Sequence, residues 1–381
     1  MGIMFTKKYN QILVLYRILS RAYFYLPVFI IYLCSTGMNI FHISLCMSVY
    51  CISSLITNEL FNLIKHRYQC KYLLIFGELL KITGLLILIV NGYENIYYII
   101  ISQIILGGGY IISAGHDSTI IYSNIHNPTA FQEKTNGYMF YSLLISGIIG
   151  YFCFQINNKI PFILSIITSS ILIVAILICL PDKDYPAKKN NNTRKNIDKY
   201  KVFLDYSFTR GIILGAFTTF IPYHLYIDLK TNTYYFILIL SSYTISGFIS
   251  SKYLSKYLLD RKLFINILLL ISIFGFYFDN IFPEIISMLI FGVISGTSRP
   301  TCLNKLKKLR LNISHENISL ERFYSLVNVF FLCVGGYIYL NYGFKYIILL
   351  SYIMMITYYI IYLILSKKYQ TTNNLTSPQY R

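Results

Sequence analysis

The sequence predicts an all-α integral membrane protein with about twelve transmembrane helices in two pseudo-symmetric six-helix bundles. Three observations carry that expectation. Apolar segments recur at close to the ~20 residues a helix needs to cross ~30 Å of hydrocarbon at 1.5 Å per residue. The 33 Lys and Arg residues crowd into alternate gaps between those segments. Features of the first half also return in the second at an offset of about 190 residues, as a duplicated six-helix unit would give.

The first apolar segment, 12–34, carries Arg17 and Arg21 near its start and Pro27 further along. It lacks a small-residue cleavage site, so it reads as a retained span and not a signal peptide. The second, 40–64, ends on Glu59 and the basic gap 65–71. Glu78 and Lys81 lie inside the third, 72–91, and the fourth, 95–125, holds Gly107, Gly108 and Gly109 followed by His116 and Asp117. Segments 135–156 and 160–180 complete an N-terminal bundle, 1–180. Pro181 to Lys201 has almost no apolar side chains and reads as a cytoplasmic linker, 181–201.

The second bundle, 202–381, ends in a short cytoplasmic tail. Its first segment, 203–227, repeats the opening one, with Arg210 for Arg17 and Pro222 for Pro27, the prolines being 195 residues apart. Segments 233–255 and 263–281 flank the basic gap 252–262, the counterpart of 65–71. Gly292 and Gly296 in the tenth segment, 284–301, answer the glycine run of the fourth, and 322–341 and 344–366 finish the array. Proline frees and glycine exposes backbone polar groups, which hydrocarbon tolerates only against other helices or a cavity. Spans 1, 4, 7 and 10 are therefore expected to wall a cavity, the simpler reading being helix kinks at the prolines and close packing at the glycines.

Of the basic residues, 26 fall on the side of the two termini and 3 on the other, Lys159, Lys230 and Lys345. By the positive-inside rule both termini are cytoplasmic in a plasma (inner) membrane protein. The net charge of +18 is then a property of the cytoplasmic face and calls for no nucleic acid. Tyrosines at segment ends, among them Tyr97, Tyr98, Tyr234, Tyr235, Tyr358 and Tyr359, supply the interfacial belt in a chain without Trp. The eight cysteines are scattered without a CxxC pair, and no metal or other cofactor is expected.

Charge inside hydrocarbon costs at least ~2.5 kcal/mol per group, so Glu59, Glu78, Lys81, Asp117 and Arg210 are the candidate functional residues. Glu78 and Lys81 are three apart on one helix face, which makes a self-neutralising pair or a coupling element. Glu59 and Asp117 have no opposite charge within a turn of their own helices. Desolvation penalises the ionised form of a lone carboxylate, which suits proton loading and release. Neutralisation by Arg17, Arg21, Arg210 or Lys81 of neighbouring helices is the structural alternative. Asp279 and Glu284 stand near the outer ends of their spans, where solvation is expected. No nucleotide-binding loop, GxSxG elbow or HExxH occurs, which excludes transport driven by ATP hydrolysed within the chain.

Residues 58–71, NELFNLIKHRYQCK, resemble the motif EPTGxxADRxGRK between spans two and three of major facilitator superfamily transporters, in register at Glu59, Arg67 and Lys71. The motif's proline, first glycine, aspartate, second glycine and second arginine are Leu60, Asn62, His66, Gln69 and Cys70 here. YFYLPVFIIYL at 23–33, GHDSTIIYSN at 115–124 and GTSRPTCLNK at 296–305 are similar to span-one, span-four and span-ten segments of drug-exporter-like members. The resemblance implies a secondary transporter whose halves rock about a central site. It makes the 58–71 motif a latch through charge contacts to a neighbouring helix, and Glu59 and Asp117 the groups for proton coupling.

The expected function is proton-coupled efflux of a small amphipathic or peptide-like compound by a monomer in the lipid bilayer. Ile, Lys, Asn and Tyr enrichment without Trp points to an AT-rich gene, as acquired antibiotic clusters often are, and so to export of an antimicrobial such as a microcin that protects its producer. Nutrient symport is an alternative, since fold does not fix direction. A membrane-embedded glycan polymerase or flippase is a further one, though a polymerase usually needs a large external loop that the gaps here do not offer.

Overall fold

A computed structural model of the chain describes residues 2–64, 69–91, 95–125, 127–180, 197–231, 233–255, 257, 261–309 and 313–376. Among them the fold is all helix. Helix α1 (Gly2–Leu19) is followed by a turn, a 3-10 segment Leu26–Val28 and α2 (Phe29–Ser35). The sequence predicts one segment over 12–34. The chain instead turns at Ser20–Tyr25, because Pro27 has no N–H to continue a helical ladder and sits at the start of a new one.

Five long helices follow: α3 (Ile40–Ile64), α4 (Cys70–Asn91), α5 (Ile96–Asn124), α6 (Pro128–Ile156) and α7 (Ile160–Cys179). The side chains of Asn95 and Asn127 cap α5 and α6 by accepting from Tyr97 and Ala130 N–H groups that have no intrahelical partner. In the second half, α8 (Ile197–Gly215) runs through a π-helical turn Ala216–Phe220, a short α9 (Ile221–Tyr223) and a second π turn His224–Asp228. Pro222 is flanked by the two wide turns, which accommodate its missing donor and its ring without breaking the rod. Helix α10 (Thr233–Ile249) ends in a π turn Ser250–Leu254, and α11 (Lys262–Gly275) in a 3-10 turn Phe276–Phe278. Helices α12 (Ile281–Lys308), α13 (Ile313–Tyr342) and α14 (Lys345–Thr376) close the chain.

Eight of these helices (α3 to α7 and α12 to α14) are long and apolar enough to cross a membrane, and Leu26–Ser35 and Phe264–Phe278 are shorter apolar helices. Their outward faces are apolar: Ile145, Ile149 and Phe152 on α6, and Ile353, Ile356 and Ile360 on α14, all stand exposed. Contiguous apolar surface on this scale is stable against lipid and not against water.

Within the first half α4 packs on α5 and α7, and α3 on α5; within the second, α10 packs on α12, and α8 on α13 and α14. Two antiparallel seams join the halves, α3 against α13 and α6 against α10. Along the first, Phe41 meets Tyr337 at 6.4 Å between ring centroids, the Cys333 thiol donates to Ser48 at 3.2 Å, and Asn328 donates to the Cys51 sulfur at 3.2 Å. Along the second, Phe140 meets Tyr243 and Tyr141 meets Phe248, each at 6.0 Å.

Candidate functional site

The glycines noted in the sequence lie at helix contacts. A Cβ on Gly107 would strike the Tyr50 carbonyl of α3, one on Gly109 the Gly77 carbonyl of α4 at 2.7 Å, and one on Gly108 would press on Thr57 at 3.1 Å. Gly292 and Gly296 of α12 face the Tyr243 and Gly247 carbonyls of α10 in the same way. These residues let backbones approach closely, as the packing alternative expects. The two prolines do line one partly open cavity at the α6–α10 seam. Its wall is mostly apolar, with Leu26, Pro27 and Gly147 on one side and Phe217, Pro222 and Leu240 on the other.

Arg17 and Asp117 come together. Both are buried, with Arg17 Nε 3.4 Å from Asp117 Oδ2, and Arg17 also donates to Thr135 Oγ1 of α6 at 2.9 Å. Three helices, α1, α5 and α6, thus share one charge pair. Glu78 and Lys81, three apart on α4 as read, pair at 2.7 Å, and Tyr16 donates to the same Glu78 oxygen at 3.3 Å. His116 donates from Nδ1 to the Ile112 carbonyl at 2.7 Å, as a helix-packing histidine does.

In the second half Arg210 lies over two tyrosine rings, with centroids of Tyr206 at 5.6 Å and Tyr324 at 5.7 Å. Beside it Arg299 NH2 is 3.5 Å from Glu321 Oε1, which also accepts from Tyr206 at 3.4 Å. This pair was not singled out from the sequence. Glu321 and Arg299 fall at the margins of predicted spans 322–341 and 284–301, within what reads as a basic gap, whereas α12 and α13 continue well past those margins. The signal available was Glu321 as one of only two carboxylates, with Glu316, among that gap's cations.

Glu59 is not paired with any cation considered for it. It forms an ion pair with Arg322 of α13, half-exposed on both sides, at the end of the α3–α13 seam. The reason is the same extension of α13, which carries Arg322 alongside α3. Lys71 is buried at the start of α4, and Arg67 lies outside the described residues. At the opposite end of the seam His224 Nδ1 is 2.8 Å from Asp228, its Nε2 is 3.4 Å from Asp279, Tyr339 donates to Asp228 at 2.6 Å and Lys345 sits 3.3 Å from Asp279. Glu284, expected to be solvated, is buried nearby on the first turn of α12.

Membrane-length apolar helices, charge pairs sealed between them and an apolar cavity where the two halves meet define a multi-pass membrane transport protein. The chain belongs to the Major Facilitator Superfamily, whose sequence pattern matches residues 13–306. Membership makes it a transporter and not a catalytic enzyme. No curated protein sequence matches it. Its fold is similar to that of a D-xylose-proton symporter, with a TM-score of 0.70 at 12% identity over 94% of this chain and 96% of that one. It is also similar to a bacterial homologue of the iron transporter ferroportin in an outward-facing state with soaked iron, with a TM-score of 0.68 at 13% identity over 94% of this chain and 99% of that one.

Proposed function

We propose that the chain is a twelve-span, proton-coupled exporter of a small amphipathic or peptide-like compound, built from bundles 1–180 and 202–381 joined by a cytoplasmic linker. It lies in the plasma membrane with both termini in the cytoplasm and works by alternating access. The observation that carries this reading is the partly open, mostly apolar pocket between the halves, lined by both Pro27 and Pro222. Rocking of the halves along the α6–α10 seam would open such a space to one side and then the other.

Asp117 takes the proton. Its partner Arg17 is also bonded to α6, so neutralising Asp117 frees a cation that ties α1 to the helix lining the cavity. Glu59 and Arg322 act as the latch that closes the cytoplasmic end of the α3–α13 seam. The fold shared with a D-xylose-proton symporter supports the proton as coupling ion, and leaves nutrient symport as the second reading.

Inverted membrane vesicles under an imposed pH gradient, offered amphipathic drugs and antimicrobial peptides, test this. Wild type is expected to accumulate at least one compound and collapse the gradient, and Asp117→Asn to lose both. Uptake that persists in Asp117→Asn overturns the assignment of the proton site. Accumulation only when the gradient is reversed overturns export in favour of symport.

A further inference from the structure

At the end of the second half away from the termini, outer in the orientation proposed above, the charges do not balance. His224, in the second π turn, lies 2.8 Å from Asp228 on that turn and 3.4 Å from Asp279, which precedes α12, and its ring stacks on Phe344 at 3.9 Å between centroids. Lys345, at the start of α14, is 3.3 Å from the other Asp279 oxygen and lies over the Tyr277 ring, and the Tyr339 hydroxyl of α13 donates to Asp228 at 2.6 Å. Even with the imidazole protonated, the positive charges of His224 and Lys345 are used by Asp228 and Asp279. Lys230, the next cation along the chain from His224, stands exposed.

Glu284 is a third carboxylate, and it has no such partner. It is 1% exposed, on the first turn of α12, within electrostatic reach of His224 and Asp279. Among the described residues neither of its oxygens has a hydrogen-bond partner. The helix N-terminus does not serve it either: the Phe282 N–H is taken by the Asn280 side chain, Pro283 has none, and the N–H of Glu284 itself is bonded to the Asn280 carbonyl at 3.2 Å. A carboxylate sealed from water without donor or counter-charge, and near a second carboxylate, is costly as an anion and far less so as an acid. The cluster is also placed to act between the halves. Tyr223, the residue before His224, packs on the first-half core around Tyr32 and Phe162, and its hydroxyl accepts from the Ile40 backbone N–H at the start of α3. Neighbouring residues of the segment between the π turns therefore hold one half each.

We infer that Glu284, with His224, is a second proton-binding site, separate from Asp117, and that its occupancy sets how firmly the two halves close at the outer end. With the proton on Glu284, His224 is left to Asp228 and Asp279, and Tyr223 keeps its contact with Ile40. When the proton passes to outside water, by way of Asp228 and Asp279, each more than a third exposed, a third negative charge competes for the imidazole. Drawing His224 toward Glu284 pulls on Tyr223 one residue away and loosens the closure. The site responds to the pH outside, and it depends neither on the coupling assigned to Asp117 nor on the compound carried.

The test is pulsed electron paramagnetic resonance on the full-length protein in lipid nanodiscs without substrate, in a background free of native cysteines. Nitroxides replace the exposed Tyr97 and Tyr235, at the outer ends of α5 and α10, and their separation is followed from about pH 5 to pH 9. The labels are expected to sit close at the acid end and to part in one transition as pH rises. Glu284→Gln, neutral throughout, should hold the short distance at every pH, and Asp117→Asn should keep the wild-type transition. Infrared difference spectra of wild type should show the carbonyl stretch of a protonated carboxylic acid vanish over the same range. Glu284→Asp should displace that band, which settles its origin where the glutamine variant does not fold. A transition that persists in Glu284→Gln overturns the inference, as does one abolished in Asp117→Asn or an infrared band indifferent to Glu284→Asp. A wild-type distance that ignores pH, while vesicle uptake still runs on the gradient, sinks this site and leaves the exporter standing. The reverse result, a Glu284-dependent transition without gradient-driven uptake, keeps the site and removes the exporter.

Discussion

The pair Glu78–Lys81 is where a single side chain matters most to stability. Glu78 is wholly buried, its Oε1 accepts from Lys81 and Tyr16, and its Oε2 has no hydrogen-bond partner among the described residues. Removing the ammonium leaves a buried carboxylate with no opposite charge and only the Tyr16 hydroxyl to offset its desolvation, at a cost of about 3–5 kcal/mol. Lys81→Met is therefore expected to lower the unfolding midpoint of the detergent-solubilised protein sharply, and the double variant Glu78→Gln, Lys81→Met to recover most of the loss. Transport by the double variant near the wild-type rate would fit a structural pair. A stable double variant without transport would assign the pair to coupling. The (i, i+3) spacing made this pair legible in the sequence, because both partners sit on one helix. The partners of Glu59, Asp117 and Glu321 were not legible in the same way, since each comes from a different helix and pattern alone carries no distance between helices.

At the scale of the element, the glycines and the helix ends carry the argument. Gly107 and Gly292 hold α5 against α3 and α12 against α10, so Gly107→Ala and Gly292→Ala each place a Cβ against a backbone carbonyl that cannot move aside. Overpacking of that kind costs about 1–3 kcal/mol. Each variant is expected to unfold at lower temperature, by a similar amount, in the same detergent. A second prediction concerns the helix ends around His224, where Asp228, just past the seventh predicted span, meets Tyr339, with Asp279 and Lys345 across the imidazole. Partial burial favours the neutral form of Asp228, but the hydrogen bonds from His224 and Tyr339 outweigh it and hold the carboxyl below its ordinary range. A lowered folded value contributes stability above the unfolded one, near ~4, and loses it as pH falls further. Wild type should lose thermal stability more steeply than Asp228→Asn between about pH 5 and pH 3. The apolar periodicity gave these helices and their order. It did not reveal the break at Ser20–Tyr25 or the π turns about Pro222, because hydrophobicity is unchanged by how backbone donors are shared.

For the molecule as a whole, the question is what sets the balance between the states that alternating access requires. The α3–α13 seam is continuous from Phe41 against Tyr337 to Glu59 against Arg322, so the rocking proposed above would open the seam at either end in turn while the other end stays packed. Near the Tyr337 end aromatic contact and the His224 cluster hold the seam; at the Glu59 end the ion pair is the charged contact, with Asn328 and Cys51 further in. Both side chains of that pair are more than a third exposed, so its worth is at most about 1 kcal/mol and it cannot be a pillar of the fold. As a bias between two states the same energy is about a fivefold shift in population, enough to tune a transport cycle. Glu59→Gln and Arg322→Gln should each raise labelling of a cysteine placed at Asn58, in a background without native cysteines, by up to about fivefold, with unfolding midpoints near wild type. The double variant should label no more than either single one, because both lose the same contact. Gradient-driven uptake should survive in both single variants at an altered rate. Loss of proton drive in Glu59→Gln alone, with Arg322→Gln unaffected, would instead make Glu59 a proton carrier, and the latch would have to be sought elsewhere along the seam.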